Sequence, residues 1–167
     1  MRIKVLIFFL LLFSLESFAQ VPVLAVNRIE KRTNEHIRQT SMYQFKDGGN
    51  VTKLSFSIRA LDDNYFLLLN LPIAASVKRG TEISVIMENG QIIKLTLNND
   101  VISLNETDLN RRMMVFDLKS GKELKDLLKQ PVKSISIPTS NKGIVLVNLL
   151  VKDSGMIRSS IMLAQKK

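Results

Sequence analysis

The chain has no cysteine and no tryptophan, one histidine, four prolines and seven glycines in 167 residues. The first absence excludes disulfides, thiol chemistry, cysteine-ligated metal and a lipid attached through cysteine. Many small exported domains lean on disulfides; this one must hold together by packing. Aromatic residues are scarce. Beyond residue 20 there are Tyr43, Phe45, Phe56, Tyr65, Phe66 and Phe116. There is no proline-rich, glycine-rich or low-complexity linker, and no internal repeat of fixed period.

The one long hydrophobic run lies at the start. Arg2 and Lys4 are followed by an unbroken apolar stretch from Val5 to Leu12, with Phe13 and Leu15 extending it. Ser17 and Ala19 stand at −3 and −1 before Gln20. This is the pattern of a cleaved secretory signal. A retained membrane anchor would want 18 or more apolar residues, and Ser14 and Glu16 interrupt this run. The expectation is a signal peptide over residues 1–19 and one exported, periplasmic or extracellular domain over residues 20–167. Its 148 residues are enough for a real core.

That expected mature chain carries 22 basic and 14 acidic residues, a net charge of +8. The basic residues are spread along the chain, and no zinc or base-reading motif accompanies them, so nucleic acid is not the expected partner. An anionic surface suits an exported basic domain better: a glycan, lipid headgroups or an acidic envelope protein. The plain alternative is a solvated face with no specific partner.

Most of the chain beyond residue 20 reads as β. Leu54, Phe56, Ile58 and Ala60 alternate with Lys53, Ser55, Ser57 and Arg59, the pattern of a half-buried strand. Asp62, Asp63 and Asn64 are turn formers. A strand follows through Tyr65, Leu67, Leu69 and Leu71, with Phe66 and Leu68 apolar on its other face and Pro72 as its stop. A loop over 61–64 sets Ile58 opposite Leu67 and Phe56 opposite Leu69, so that the apolar partners share a face.

The next hairpin joins Ile83, Val85 and Met87 to Ile93, Leu95 and Leu97. A two-residue turn at Asn89-Gly90 would place the two apolar rows on opposite faces. A three-residue loop of Glu88, Asn89 and Gly90 pairs Val85 with Ile93 and Ile83 with Leu95, with Gly90 in the left-handed position. Further strands are expected through Met113–Leu118, Val132–Ile137, Gly143–Val151 (as a central strand) and Met156–Leu163. A short apolar stretch of Val101, Ile102 and Leu104 precedes a polar loop over 105–110.

One helix is expected over residues 120–130. Ser120 and Glu123 have capping-box spacing. Leu124, Leu127 and Leu128 form its apolar stripe, with Lys122, Lys125, Asp126 and Lys129 facing water. The stretch 27–40 reads as two extended segments folding about Thr33-Asn34-Glu35, with a surface helix as the alternative. The fold class is therefore mostly β: an antiparallel β-sandwich or partly closed β-barrel of about eight to ten strands with one short helix. An α+β domain is the runner-up.

Candidate chemistry is thin. His36 stands beside Glu35, but neighbours in a strand point to opposite faces. Asp62-Asp63-Asn64 has oxygen ligands for calcium, yet far fewer than a calcium loop needs. Asp100, Glu106 and Asp108 are the one acidic cluster that could serve glycoside hydrolysis. Met113 and Met114 lack a companion histidine or cysteine and read as core filling. Asn50-Val51-Thr52 and Asn105-Glu106-Thr107 match the N-glycosylation pattern, which matters only in a eukaryotic host. No nucleophile elbow, zinc-protease, phosphate-loop or dinucleotide motif occurs. No catalytic, metal or cofactor residue is assigned, and the binding face is left open. The expectation is a noncatalytic binding or structural module with a basic surface. The alternatives are a carrier enclosing a small apolar ligand between β-layers, or a small hydrolase using carboxylates.

Overall fold

The structure, a computed structural model, describes residues 21–45, 54–71, 75–101, 113–118 and 121–166. Ten strands and two helices stand among them. In chain order they are β1 (Leu24–Ile29), β2 (His36–Thr40), β3 (Tyr43–Gln44), β4 (Ser55–Leu61), β5 (Asn64–Asn70), β6 (Glu82–Met87), β7 (Ile92–Thr96), β8 (Met113–Asp117), α1 (Lys122–Lys129), β9 (Val132–Thr139), β10 (Gly143–Asn148) and α2 (Met156–Gln165).

Among the described residues the strands form two antiparallel sheets and no closed barrel. The larger runs β1-β2-β4-β5-β8, with β3 also paired to β4; the smaller runs β10-β9-β6-β7. A bridge between Leu97 and Phe116 joins them along one side. On the helical side, α2 packs on β4 and β2, and α1 packs on both α2 and β7. The helices thus link the two sheets. The mostly-β, two-layer expectation holds.

Both argued hairpins keep the register their apolar rows demand. Ile58 lies opposite Leu67 and Phe56 opposite Leu69, and pairing continues to Leu61 and Asn64. The loop itself is tighter than the four residues expected, and Asp62 takes a φ of 50° at the turn. In the second hairpin Val85 faces Ile93 and Ile83 faces Leu95. Gly90 has a φ of 82°, and Asn89 Oδ1 accepts the Gln91 amide at 3.0 Å. A Cβ added at Gly90 would meet no atom within 4 Å, so a substitution there suffers from its backbone conformation alone. Gly90→Val is expected to cost about 1–3 kcal/mol. Asn89→Ala loses one exposed hydrogen bond and is expected to cost less, about 0.5–1.5 kcal/mol. Equal denaturation midpoints for the two variants would refute the bulged turn.

The stretch 27–40 is the expected pair of extended segments. Glu30 N donates to Glu35 O at 2.8 Å and Asn34 N to Glu30 O at 2.7 Å, with Asn34 at a φ of 60°. The β2–β4 ladder ends where Ile58 N donates to the Thr40 hydroxyl instead of a carbonyl. Beyond that break β3 takes over, setting Tyr43 opposite Phe56.

Four expectations need correction. Residues 156–163 are not a strand; Met156–Gln165 is a helix. Ile157, Ile161 and Ala164 are fully buried, and their spacing of four and three residues is a helical stripe. Gly143–Asn148 is not a central strand but the outer edge of the smaller sheet. Val147 is buried there, while Ile144 and Leu146 are 71% and 49% exposed. Asp126 does not face water: it is buried and accepts the Gln91 side-chain amide at 2.7 Å. Finally, Gly121 is the N-cap of α1, just before Lys122, and makes no side-chain cap; Ser120 lies outside the described residues.

The core runs between the layers. Phe45 and Phe56 stack at 4.9 Å between ring centroids, and Tyr43 meets both at 5.7 Å. A bulge in β9 explains its broken alternation. Ile86 pairs with Ser134 and Met87 with Val132, so Lys133 is the extra residue. Val132 and Ile135 can then both point inward although they are three positions apart, which in a regular strand would put them on opposite faces.

Candidate functional site

Three depressions at the surface invite comparison. One, of about 330 Å³, is lined by Ser76, Val77, Lys78, Asp100, Val101 and Ser140. Its carboxylate is already engaged, since Asp100 Oδ1 accepts the Arg79 amide at 2.8 Å. A second, of about 230 Å³, lies between β7 and α1. Asp126 sits in it, held by Gln91 and paired with Lys129 at 3.5 Å. Charges of both signs already satisfy one another there.

The third, of about 250 Å³, lies on the larger sheet and is lined by Val26, Arg28, Ile37, Gln39, Arg59 and Leu61. Three neighbouring strands supply it. Arg28 of β1 is opposite Ile37 of β2, and Ile37 is opposite Leu61 of β4. One step along, Val26 is opposite Gln39, and Gln39 is opposite Arg59. Residues directly opposite in a sheet share a face. This face is therefore apolar where Val26, Ile37 and Leu61 stand, with a guanidinium on each side strand.

Arg59 is steadied without being neutralised. Its Nε donates to Gln39 Oε1 at 2.8 Å, and Gln39 brings no charge. Arg28 pairs with Glu30 at 3.5 Å, with its side chain 68% exposed. An exposed pair of this kind is worth about 0–1 kcal/mol, so a stronger anion can displace it. None of the six lining residues is a carboxylate. The arrangement suits a carboxylate or phosphate held by planar guanidinium donors beside an apolar group.

Among the described residues, those with candidate chemistry do not assemble. His36 Nε2 lies 2.6 Å from Asn27 Oδ1, and Glu35 is in the turn before β2. Asp62 ties its turn to β2: Oδ1 accepts the His36 amide at 3.0 Å, and its carbonyl accepts from Arg38 Nη2. Met114 is core filling and Met113 is half-buried beside it. Ile102, Leu104, Glu106 and Asp108, and both glycosylation patterns, lie outside the described residues. Among the described residues no group of three or more metal-binding side chains comes together.

Sequence reasoning did not find the Arg28–Arg59 face. Its members are spread over 26–61 and only strand pairing gathers them. The available signal was an arginine within each of two alternating segments. No family model, curated protein or solved structure matches the chain.

The Tyr43 hydroxyl is structural. It donates to Asp153 Oδ1 at 2.6 Å inside the core. Burial, and then the Asp153 carboxylate, raise its pKa far above the ordinary phenol value. It stays protonated and pins the start of α2 to β3.

Proposed function

We propose that this chain is a noncatalytic binding module of the cell envelope or the secreted space, and that the outer face of β1, β2 and β4 holds an anionic partner. The observation that carries the reading is the pair Arg28 and Arg59 flanking an apolar depression with no carboxylate in its lining. Export is part of the proposal and rests on the amino-terminal pattern, with residues 1–19 removed. No described helix is long and apolar enough to cross a membrane. An N-terminal mass on naturally exported protein fixes the start, expected at Gln20; retention of Met1 overturns export.

The carrier alternative has less support. Phe45, Phe56, Phe116, Leu54 and Leu97 are fully buried and occupy the space an enclosed ligand would need. All three depressions above open at the surface.

Titration of the chain with an acidic polysaccharide, with vesicles of anionic phospholipid and with polyglutamate tests the binding reading. One of the three should bind and weaken as salt rises, because exposed charge contacts are screened. Arg28→Glu combined with Arg59→Glu is expected to reduce that affinity at least about tenfold, or roughly 1.4 kcal/mol. Circular dichroism should be unchanged, because both side chains project from an exposed face. Unaltered affinity in the double variant overturns the assignment.

A further inference from the structure

We infer that the open edge of β10 is a second binding site, which takes an extended acidic segment of a partner protein as an added strand. The backbone geometry comes first. β10 pairs with β9 without interruption from Gly143 to Asn148, opposite Thr139 to Ser134. Leu149 N donates to Lys133 O at 2.9 Å in the same register. In an antiparallel ladder hydrogen-bonded pairs alternate with unbonded ones. Gly143, Val145 and Val147 therefore bond to β9, and Ile144, Leu146 and Asn148 direct their N–H and C=O groups away from the sheet.

Among the described residues this edge lacks the usual protection. Exposed edge strands are normally blunted by charge, proline, a bulge or shortness. Residues 143–148 contain no charge and no proline, and the strand carries no bulge. Ile144 and Leu146 add two exposed apolar side chains spaced for alternate residues of an incoming strand, and Val151 follows at 89% exposure. Added strands gain affinity from main-chain bonds and specificity from alternate side chains.

Charge selects the occupant. From Pro131 to Lys167 the chain has six basic residues and one acidic residue, Asp153. That is five of the nine net positive charges in fewer than a quarter of the residues. Asp153 is buried and bonded to Tyr43, so it offers no carboxylate at the surface beside these cations. Lys142 and Lys152 frame the strand at its two ends, both exposed. A second copy would bring the same positive field to the edge. A segment with apolar residues at alternate positions and carboxylates at its ends complements it.

The probe is a capped nine-residue peptide with two glutamates at each end of a valine–threonine alternation, titrated calorimetrically into the full chain. Saturable binding is expected, and the analogue with lysines in place of the glutamates should not bind. N-methylation of alternate peptide residues removes one row of amide hydrogens without altering charge, and should weaken binding at least tenfold. Leu146→Pro removes an outward N–H while leaving the β9 ladder intact, and should do the same. Leu146→Glu, which keeps the backbone unchanged and repels the acidic peptide, serves if the proline variant does not fold. No saturation at millimolar peptide, or equal binding of the N-methylated peptide, overturns the inference. A dimer in sedimentation that Leu146→Pro dissolves also overturns it, by assigning the edge to a second copy. The site is independent of the Arg28–Arg59 face. The Arg28→Glu, Arg59→Glu variant should bind the peptide normally; loss of binding there would place the peptide on the other face and defeat the inference.

Discussion

Phe56→Ala is expected to destabilise the chain by about 3–5 kcal/mol, the range for emptying an aromatic site in a core that cannot collapse. Phe56 is fully buried in β4, near the middle of the larger sheet. It stacks on Phe45 and meets Tyr43 at an angle. It lies opposite Tyr43 on one side and Leu69 on the other. Rigid strands hold these neighbours, so little can move into the vacated volume. A single domain has about 5–15 kcal/mol of stability in total. The loss should appear as a melting point lower by roughly 6–20 °C. Phe66→Ala is the control. Phe66 projects from the opposite face of β5 and is only half-buried, so its loss should cost less than half as much. Equal shifts would mean that the aromatic cluster is not the centre of the core.

What could be read in the sequence is what a two-residue period encodes. The rows Phe56–Ile58 and Leu67–Leu69 could pair in one way that kept both inside, and they do. The same holds for Ile83–Val85 against Ile93–Leu95. Two elements escaped because their patterns are ambiguous. Ile157 and Ile161 fit a strand at alternate positions as well as a helix four residues apart. Ala164 breaks the tie, but alanine is weakly apolar and easily passed over. The run Gly143–Val151 is apolar on both faces, as in a buried strand, and also as in an edge that waits for a partner. Only the strand order distinguishes the two. The candidate face was illegible for a different reason. Arg28, Ile37, Arg59 and Leu61 become neighbours through β1–β2–β4 pairing, a long-range fact that no local period contains. Buried polar residues escaped as well. Asp126 sits on the polar side of a helical wheel, yet Gln91 covers it from the neighbouring hairpin.

Arg38→Met is expected to stabilise the chain by about 1–4 kcal/mol, the gain seen when buried ionic groups give way to well-packed apolar ones. Arg38 is the largest of the fully buried side chains, at 1% exposure. It stands on β2 opposite Ala60 and Asn27, among strands that otherwise send small or apolar groups inward. Nη2 donates to the Asp62 carbonyl. Nε and Nη1 are buried and find no acceptor among the described residues. A carbonyl supplies a dipole but no counter-charge, so the desolvation of the guanidinium is only partly offset. Methionine has a similar reach, three rotatable bonds and no polar hydrogen, so it can follow the same path through the core. Its one loss is the bond to Asp62, worth about 1.5–3 kcal/mol when the donor is charged. The Asp62 carbonyl sits at a hairpin turn where water can replace the donor. The charge penalty therefore outweighs the lost bond. A urea titration should show a higher midpoint with an unchanged slope. Arg38→Lys should not share the gain, since it keeps a buried cation and gives up the fork geometry that reaches Asp62. A lower midpoint for Arg38→Met would show that the guanidinium is satisfied in solution by an anion or ordered water, and that this cation belongs to the chain's binding chemistry.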